Sequence, residues 1–154
     1  MTPPPFQRFL DAHRDDVWRF LVAAVGRDAA DDCFQETFLA ALRAYPRMAP
    51  DNPRAWVLTI ANRKAIDHFR ARGRRAVPMG ELPEVAAPAA PELRDDGVWD
   101  RVHGLPPRQR AAVLLRFAGD LSHREVAAAL GCSEEAARRS AFEGLRTLRQ
   151  ELSR

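Results

Sequence analysis

A chain of 154 residues, 46% hydrophobic and with a formal net charge of +3, has room for one mid-sized domain or two small ones, each with a core. That apolar content excludes wholesale disorder, and no apolar run is long enough for a membrane span, so no membrane insertion is expected. The start, MTPPPFQRF, has neither the basic nor the apolar segment of a secretory signal. Cys33 and Cys132 make neither a disulfide framework nor a zinc-ligand cluster. A reducing, cytoplasmic setting is expected, with no metal and no cofactor. Of 24 basic residues only Lys64 is a lysine, which with the abundant alanine points to a GC-rich coding genome. Arginine also suits phosphate and guanine through its planar donor fork, although the net charge is too small to decide for a nucleic acid.

Pro3 to Pro5 precede a segment in which Phe6, Phe9, Leu10, His13, Val17, Leu21 and Ala24 keep helical spacing, and Gly26 ends it. Asp28 to Asp32 place negative charge at the start of a second helix, where Phe34, Phe38, Leu42 and Tyr45 share one face. Pro46, Pro50 and Pro53 break the chain into a loop, and a long helix is predicted from Arg54 to Arg72. Residues 76–97 hold four prolines and two glycines and read as a linker. Beyond it, Val98 to Val102 can form a short helix. Leu105-Pro106-Pro107 starts the next, with Val113, Leu114 and Phe117 as its apolar residues. The chain turns at Gly119-Asp120. Leu121, Val126, Ala127 and Leu130 open a further helix that Gly131 stops, and Ser133 N-caps a last helix running to Leu152. No stretch alternates as a strand would. The expected fold is all-α: two small helical domains, 1–75 and 98–154, joined by a flexible linker, 76–97.

Three segments carry chemical information. Residues 121–149 form a helix-turn-helix candidate: a short helix, a glycine where a left-handed backbone is cheap, then a helix with Arg138 and Arg139 near its start. A plain helical hairpin with solvated charges is the alternative. Residues 52–75 hold seven basic residues and one acid, with Arg63, Asp67, Arg70 and Arg74 on one helical face and Trp56 before them. Basic residues beside an aromatic suit a single strand, whose phosphates meet charge and whose bases stack. A solvated face with Trp56 in the core is the other possibility. Residues 28–42, DAADDCFQETFLAAL, begin acidic, either to compensate the helix dipole or to dock a basic protein surface.

The strings DCFQETFLAAL, RAWVLTIANRKAIDHFRARGRR and LPPRQRAAVLLRFAGDLSHREVAAALGCS, in this order, resemble an extracytoplasmic-function (ECF) sigma factor, a small bacterial transcription initiation factor with sigma regions 2 and 4 only. The resemblance runs from Phe6 to Leu152. It implies that Asp32, Gln35, Glu36 and Thr37 bind the clamp helices of core RNA polymerase. It implies that loop 46–53 and the following helix read the −10 promoter element through Asn52, Arg54, Trp56, Asn62, Arg63, Lys64, Asp67, Arg70 and Arg74. Holding a flipped base there has to offset a few kcal/mol of unstacking. It further implies that Ser133, Glu134, Glu135, Arg138, Arg139 and Phe142 place region 4 on the −35 element, that region 4 also meets the polymerase flap, and that an anti-sigma factor restrains the protein. The sequence departs from the family pattern at Asn62-Arg63, where Arg-Asn is common. It departs again in the last helix, where Ser140 and Glu143 replace two arginines and Phe142 a histidine. Either the −35 sequence is unusual or region 4 contributes less affinity. Gly144, mid-helix, costs about 1 kcal/mol of propensity.

A stand-alone helix-turn-helix regulator would need only the second half and leaves the D-x-x-Q-E-T-F string without a role. A small helical enzyme could draw on His13, His68, His103 and His123. None has metal or nucleophile spacing, so each is expected to be a surface or packing residue, and the protein is expected not to be an enzyme.

Overall fold

The computed structural model describes residues 5–47, 51–79 and 97–153, the side chains of 74–79 excepted. Its helices follow in chain order as α1 (Phe6–Val25), α2 (Arg27–Ala44) with a 3₁₀ turn at Tyr45–Arg47, α3 (Pro53–Met79), α4 (Val98–His103), α5 (Pro107–Val113), α6 (His123–Leu130) and α7 (Glu134–Leu152). α5 continues into a π-helical turn at Leu114–Ala118. No strand occurs among the described residues.

Gly26, at φ +88°, lets α1 turn at once into α2. α1, α2 and α3 then bury one face each against the others. Val17, Phe20, Leu21, Ala24, Val57, Leu58 and Ala61 are fully enclosed, each large side chain worth about 1.5–3 kcal/mol of burial. At one end Phe6 and Phe9 meet the Tyr45 ring at 5.2 Å each, Phe9 meets Trp56 at 5.6 Å, and Phe34 stacks beside Phe38 at 4.9 Å. Such ring pairs add to plain burial through edge-to-face attraction. Leu42 is 50% exposed and does not share this face. Two four-residue steps from Phe34 drift about 80° around a helix, whereas Tyr45, eleven residues on, returns to within about 20°.

α3 differs from its sequence expectation at both ends. It begins at Pro53, whose missing N–H costs nothing in a first turn. It runs past Arg72 to Met79, so Ala76 to Met79 are helical although they fall in the stretch read as linker. The remainder of that stretch, 80–96, lies outside the described residues, as do 48–50 of the proline loop.

The second bundle is built on Val102, Leu105, Ala112, Val113, Leu114, Leu115, Leu121, Val126, Ala137, Ala141 and Leu148, all buried. Leu121 lies before α6 rather than in it. Gly144 has a structural reason: a Cβ there would stand 2.7 Å from Val113 Cγ2 and 3.4 Å from Leu105 Cδ1. Its bare backbone is what lets α7 cross α5 closely.

The two bundles touch. His103 Nε2 donates to the Ala23 carbonyl at 2.8 Å, and the Phe69 ring lies 5.5 Å from the His103 ring. The Arg110 guanidinium sits 4.1 Å from the centre of the same Phe69 ring, a cation–π arrangement. Asn52, at the head of α3, donates through Nδ2 to Glu125 Oε2 on α6.

Candidate nucleic-acid interface

The head of α3 is fixed by Asn52. Its Oδ1 accepts from the Ala55 N–H at 3.1 Å, an N-cap that satisfies one orphan donor of the first turn. Arg54 Nε donates to Asp16 Oδ2 at 2.9 Å, tying α3 to α1, and Asp16 Oδ1 takes Arg19 at 2.6 Å. Partial burial of Asp16 opposes ionisation. The hydrogen bonds and charges of Arg54 and Arg19 outweigh it, so the carboxyl stays below its ordinary range. His13, one turn earlier on α1, is pushed down by burial, with Asp16 opposing and Arg54 adding to the shift.

Along α3 the expected site residues divide. Arg63, Asp67 and Arg70 are exposed on one face, while Lys64 and Trp56 are half-buried. Trp56 packs edge-on against Phe9, so its ring serves the core on one side. Asn62 is only 3% exposed. On α3 it neighbours the buried Leu58, Ala61 and Ala65 rather than the exposed face of Arg63, Asp67 and Arg70. Asn62, expected as a DNA contact, is thus enclosed in the free chain and not presented with the exposed basic face. The Arg74 side chain lies outside the described residues.

On α2 the outer face presents Asp32, Gln35 and Glu36, all exposed, followed by Leu39 at 52% exposure. Thr37 does not belong to it. Its side chain is fully buried and its hydroxyl donates to the Cys33 carbonyl at 2.7 Å, so Thr37, expected as a polymerase contact, is not presented at the surface of the free chain. Only Asp28 lies in the first turn of α2. Because the helix dipole acts within that turn, dipole compensation does not account for Asp31 and Asp32. Beneath this face the Cys33 thiol is pushed up to about 11, by burial first and then by Glu36, Asp32 and Asp67.

The second half forms a helix-turn-helix. Ser122 and Glu125 make a reciprocal capping box: the Glu125 N–H donates to Ser122 Oγ at 3.1 Å, and the Ser122 N–H donates to Glu125 Oε1 at 2.8 Å. Gly131 ends α6 at φ +70°, ψ +36°, the left-handed conformation. Ser133 then caps α7, accepting from the Ala136 N–H at 3.0 Å. The first turns of α7 project Glu134, Glu135, Arg138 and Arg139 outward, and Phe142 is 57% exposed. Arg138 pairs with Glu134 at 2.9 Å, an exposed i,i+4 ion pair of small net value that phosphate can displace. Burial pushes His123 on α6 down, and the charges of Arg138 and Arg116 add to this. Sequence reading missed Glu125, although Ser-x-x-Glu is a capping signature, and it missed Asp16, for which the sequence carries no signal.

Among the described residues no cluster of His, Cys, Asp and Glu could hold a metal ion, and no helix is long and apolar enough to cross a membrane.

A three-helix unit with an exposed basic helix, followed by a helix-turn-helix, is the two-module plan of the sigma-70 class. Residues 9–75 match Sigma-70 region 2 and residues 96–148 match Sigma-70, region 4. The ECF RNA polymerase sigma factor BldN of Streptomyces coelicolor is 34% identical over 93% of this chain and 58% of its own length. The ECF RNA polymerase sigma factor SigC of Mycobacterium tuberculosis is 36% identical over 82% of this chain and 71% of its own. The sigma factor RpoE of Bartonella quintana, solved in complex with the anti-sigma factor NepR, superposes with a TM-score of 0.79 at 23% identity, covering 96% of each chain. The chain belongs to the ECF RNA polymerase sigma factors.

Proposed function

We propose that this chain acts in the cytoplasm as a transcription initiation factor. It binds core RNA polymerase and directs it to promoters whose −10 element it reads with the head and outer face of α3 and whose −35 element it reads with α7. The observation that carries this is the pairing, in one chain, of an exposed acidic face on α2 with an exposed basic face on α3, followed by a capped helix-turn-helix. One face suits a basic protein surface and the others suit DNA.

The polymerase clamp is assigned to Asp32, Gln35 and Glu36, and the flap to the second bundle. Promoter contacts in region 2 are assigned to Asn52, Arg54, Trp56, Arg63, Lys64, Asp67, Arg70 and Arg74. In region 4, Ser133, Glu134 and Glu135 border the groove. Arg138 and Arg139 supply guanine or phosphate contacts, Glu135 can accept from a cytosine amino group, and Phe142 can meet a thymine methyl. The factor has no catalytic residues of its own and needs no cofactor. An anti-sigma factor is proposed as its restraining partner, supported by the likeness to RpoE of Bartonella quintana, which was solved with one. A stand-alone helix-turn-helix regulator would have no use for region 2.

Co-elution of the chain with bacterial core RNA polymerase on a sizing column tests this. Asp32 and Glu36 are exposed, so a D32R/E36R variant changes charge with little effect on stability. Retention of the wild type and loss of the variant are expected. A folded wild type that elutes apart from polymerase refutes the assignment.

A further inference from the structure

Asp16 divides its carboxylate between two helices. Oδ2 accepts from Arg54 Nε at 2.9 Å, at the head of α3, and Oδ1 takes Arg19 Nη2 at 2.6 Å, one turn along α1 itself. Two guanidiniums of like charge would otherwise swing apart into solvent, and one carboxylate holds both at its two ends. Burial alone would favour the neutral acid. The bonds and charges of Arg54 and then Arg19 keep it ionised. His13, one turn before Asp16, is pushed by burial towards its neutral form. The cluster therefore keeps positive charge in excess. Neither arginine is spent on this tie, because a guanidinium is a planar fork of N–H donors. Arg54 commits Nε, which leaves its two terminal amines for another acceptor. Arg19 commits one terminal nitrogen, and its side chain is 69% exposed. Among the described residues no second carboxylate pairs with either arginine. Glu125 is near enough to Arg54 to feel its charge but forms no ion pair with it. An isolated exposed ion pair is worth little. This one differs in its place: it stands at the head of α3, beside the Asn52 cap, and presents unspent donors there.

We infer that Arg19 and Arg54, spread on the carboxylate of Asp16, form a seat for one phosphodiester group of a DNA strand laid across the head of α3, with Asp16 as the positioning residue and Arg19 as a nucleic-acid contact on α1. This rests on the promoter-reading role proposed for the head of α3. It extends that surface onto a helix outside the three motifs that carry the family resemblance. The two non-bridging oxygens of a phosphodiester match two arginine forks, through charge-assisted bonds stronger than neutral ones. Such a contact carries no sequence information. It fixes the register of the strand against the residues that do.

The sign of one effect tests it. Asp16 is an anion on a surface that meets DNA, so through charge alone its removal strengthens binding, whereas loss of a positioning residue weakens it. Anisotropy of a short fluorescent oligothymidylate, titrated with the full chain over a range of salt, reads both the affinity and the number of phosphates met. R19A and R54A are each expected to weaken binding and flatten the logarithmic salt slope. R19A/R54A is expected to flatten it by about 0.7 in all, the share of one single-strand phosphate. D16N leaves an acceptor for one arm and turns an NH₂ against the other. It is expected to weaken binding by up to roughly fivefold, the worth of an exposed ion pair. In the R19A/R54A background, with no arms to place, D16N is expected to strengthen binding instead. Circular dichroism checks that each variant keeps its helix, and Arg19 is exposed, so R19A reads the seat without disturbing the core. A D16N exchange that tightens binding with both arginines present overturns the seat. So does R19A with wild-type affinity, or a double variant whose slope falls by twice the share of one phosphate. R70A, on the outer face of α3, separates this from the promoter-reading role itself. Binding that R70A weakens and R19A leaves unchanged refutes the seat alone, and a folded wild type that leaves the oligonucleotide free refutes both.

Discussion

Replacing Gly144 with alanine sets two effects of opposite sign against each other. In the middle of an exposed helix the exchange stabilises by about 1 kcal/mol, because glycine is the more costly residue to order. Here the new methyl would stand 2.7 Å from Val113 Cγ2, 3.4 Å from Leu105 Cδ1 and 3.5 Å from Gln109 Cβ. Favourable carbon contacts begin near 3.5 Å, so the first is a hard overlap. Val113 is 2% exposed and β-branched, which leaves it one comfortable helical rotamer and no room to swing aside. Overpacking of this kind typically costs 1–3 kcal/mol. The overlap wins, and G144A is expected to lose about 1 kcal/mol net, or roughly 4–8 °C in Tm for a cooperative unit of this small size. Urea melts followed by circular dichroism give the loss directly. V113A supplies the control. It removes the atom that clashes, so the cost of G144A should shrink by about 1 kcal/mol in that background. A G144A protein as stable as the wild type, or strictly additive losses in the double variant, refutes the close-crossing explanation.

Two further outcomes follow from the packing around α1 and α2. With its thiol at about 11 instead of 9.0 and its side chain 4% exposed, Cys33 carries about 100-fold less thiolate than an ordinary cysteine. A thiol reagent near neutral pH is expected to modify Cys132 first and Cys33 only on unfolding, and mass spectrometry of the labelled chain distinguishes the sites. Asp16, whose carboxyl is depressed in the folded chain, stabilises it above the unfolded carboxylate pKa and loses that contribution as pH falls through the folded value. D16N should therefore be less stable than the wild type at neutral pH, with the two converging in acid. Parallel denaturation curves that keep the same gap at both pH values would count against the Arg54–Asp16 tie.

Most of the architecture was legible because its punctuation is local. Gly26, Gly131 and Ser133 act through their own backbone or their nearest neighbours, and the structure uses each as the sequence indicates. The departures arise where distance along the chain misleads. Leu42 fits a spacing template but accumulates rotation away from Phe34. Asn62 and Thr37 are polar, and polar residues inside string motifs read as contacts. Both are buried, Thr37 satisfied by a helix carbonyl one turn back. Gly144 read as a propensity penalty because the helix it must clear, α5, is fixed only by tertiary packing. Asp16 and Glu125 escaped for the same reason: their partners, Arg54 and Asn52, are 38 and 73 residues away.

Tyr45 and Trp56 stand on either side of the proline loop, and both rest on the same Phe9 ring, at 5.2 and 5.6 Å. The ends of the loop are thus stapled to one point in the core, and the entropy of closing it is already met by residues outside it. Substitutions between those two anchors that spare the Asn52 cap and the Arg54–Asp16 tie leave the staple untouched. If this loop selects promoter sequence as proposed, selectivity can drift from one lineage to another while the fold stays the same, so that evolution can retune which genes are read without first having to restabilise the protein.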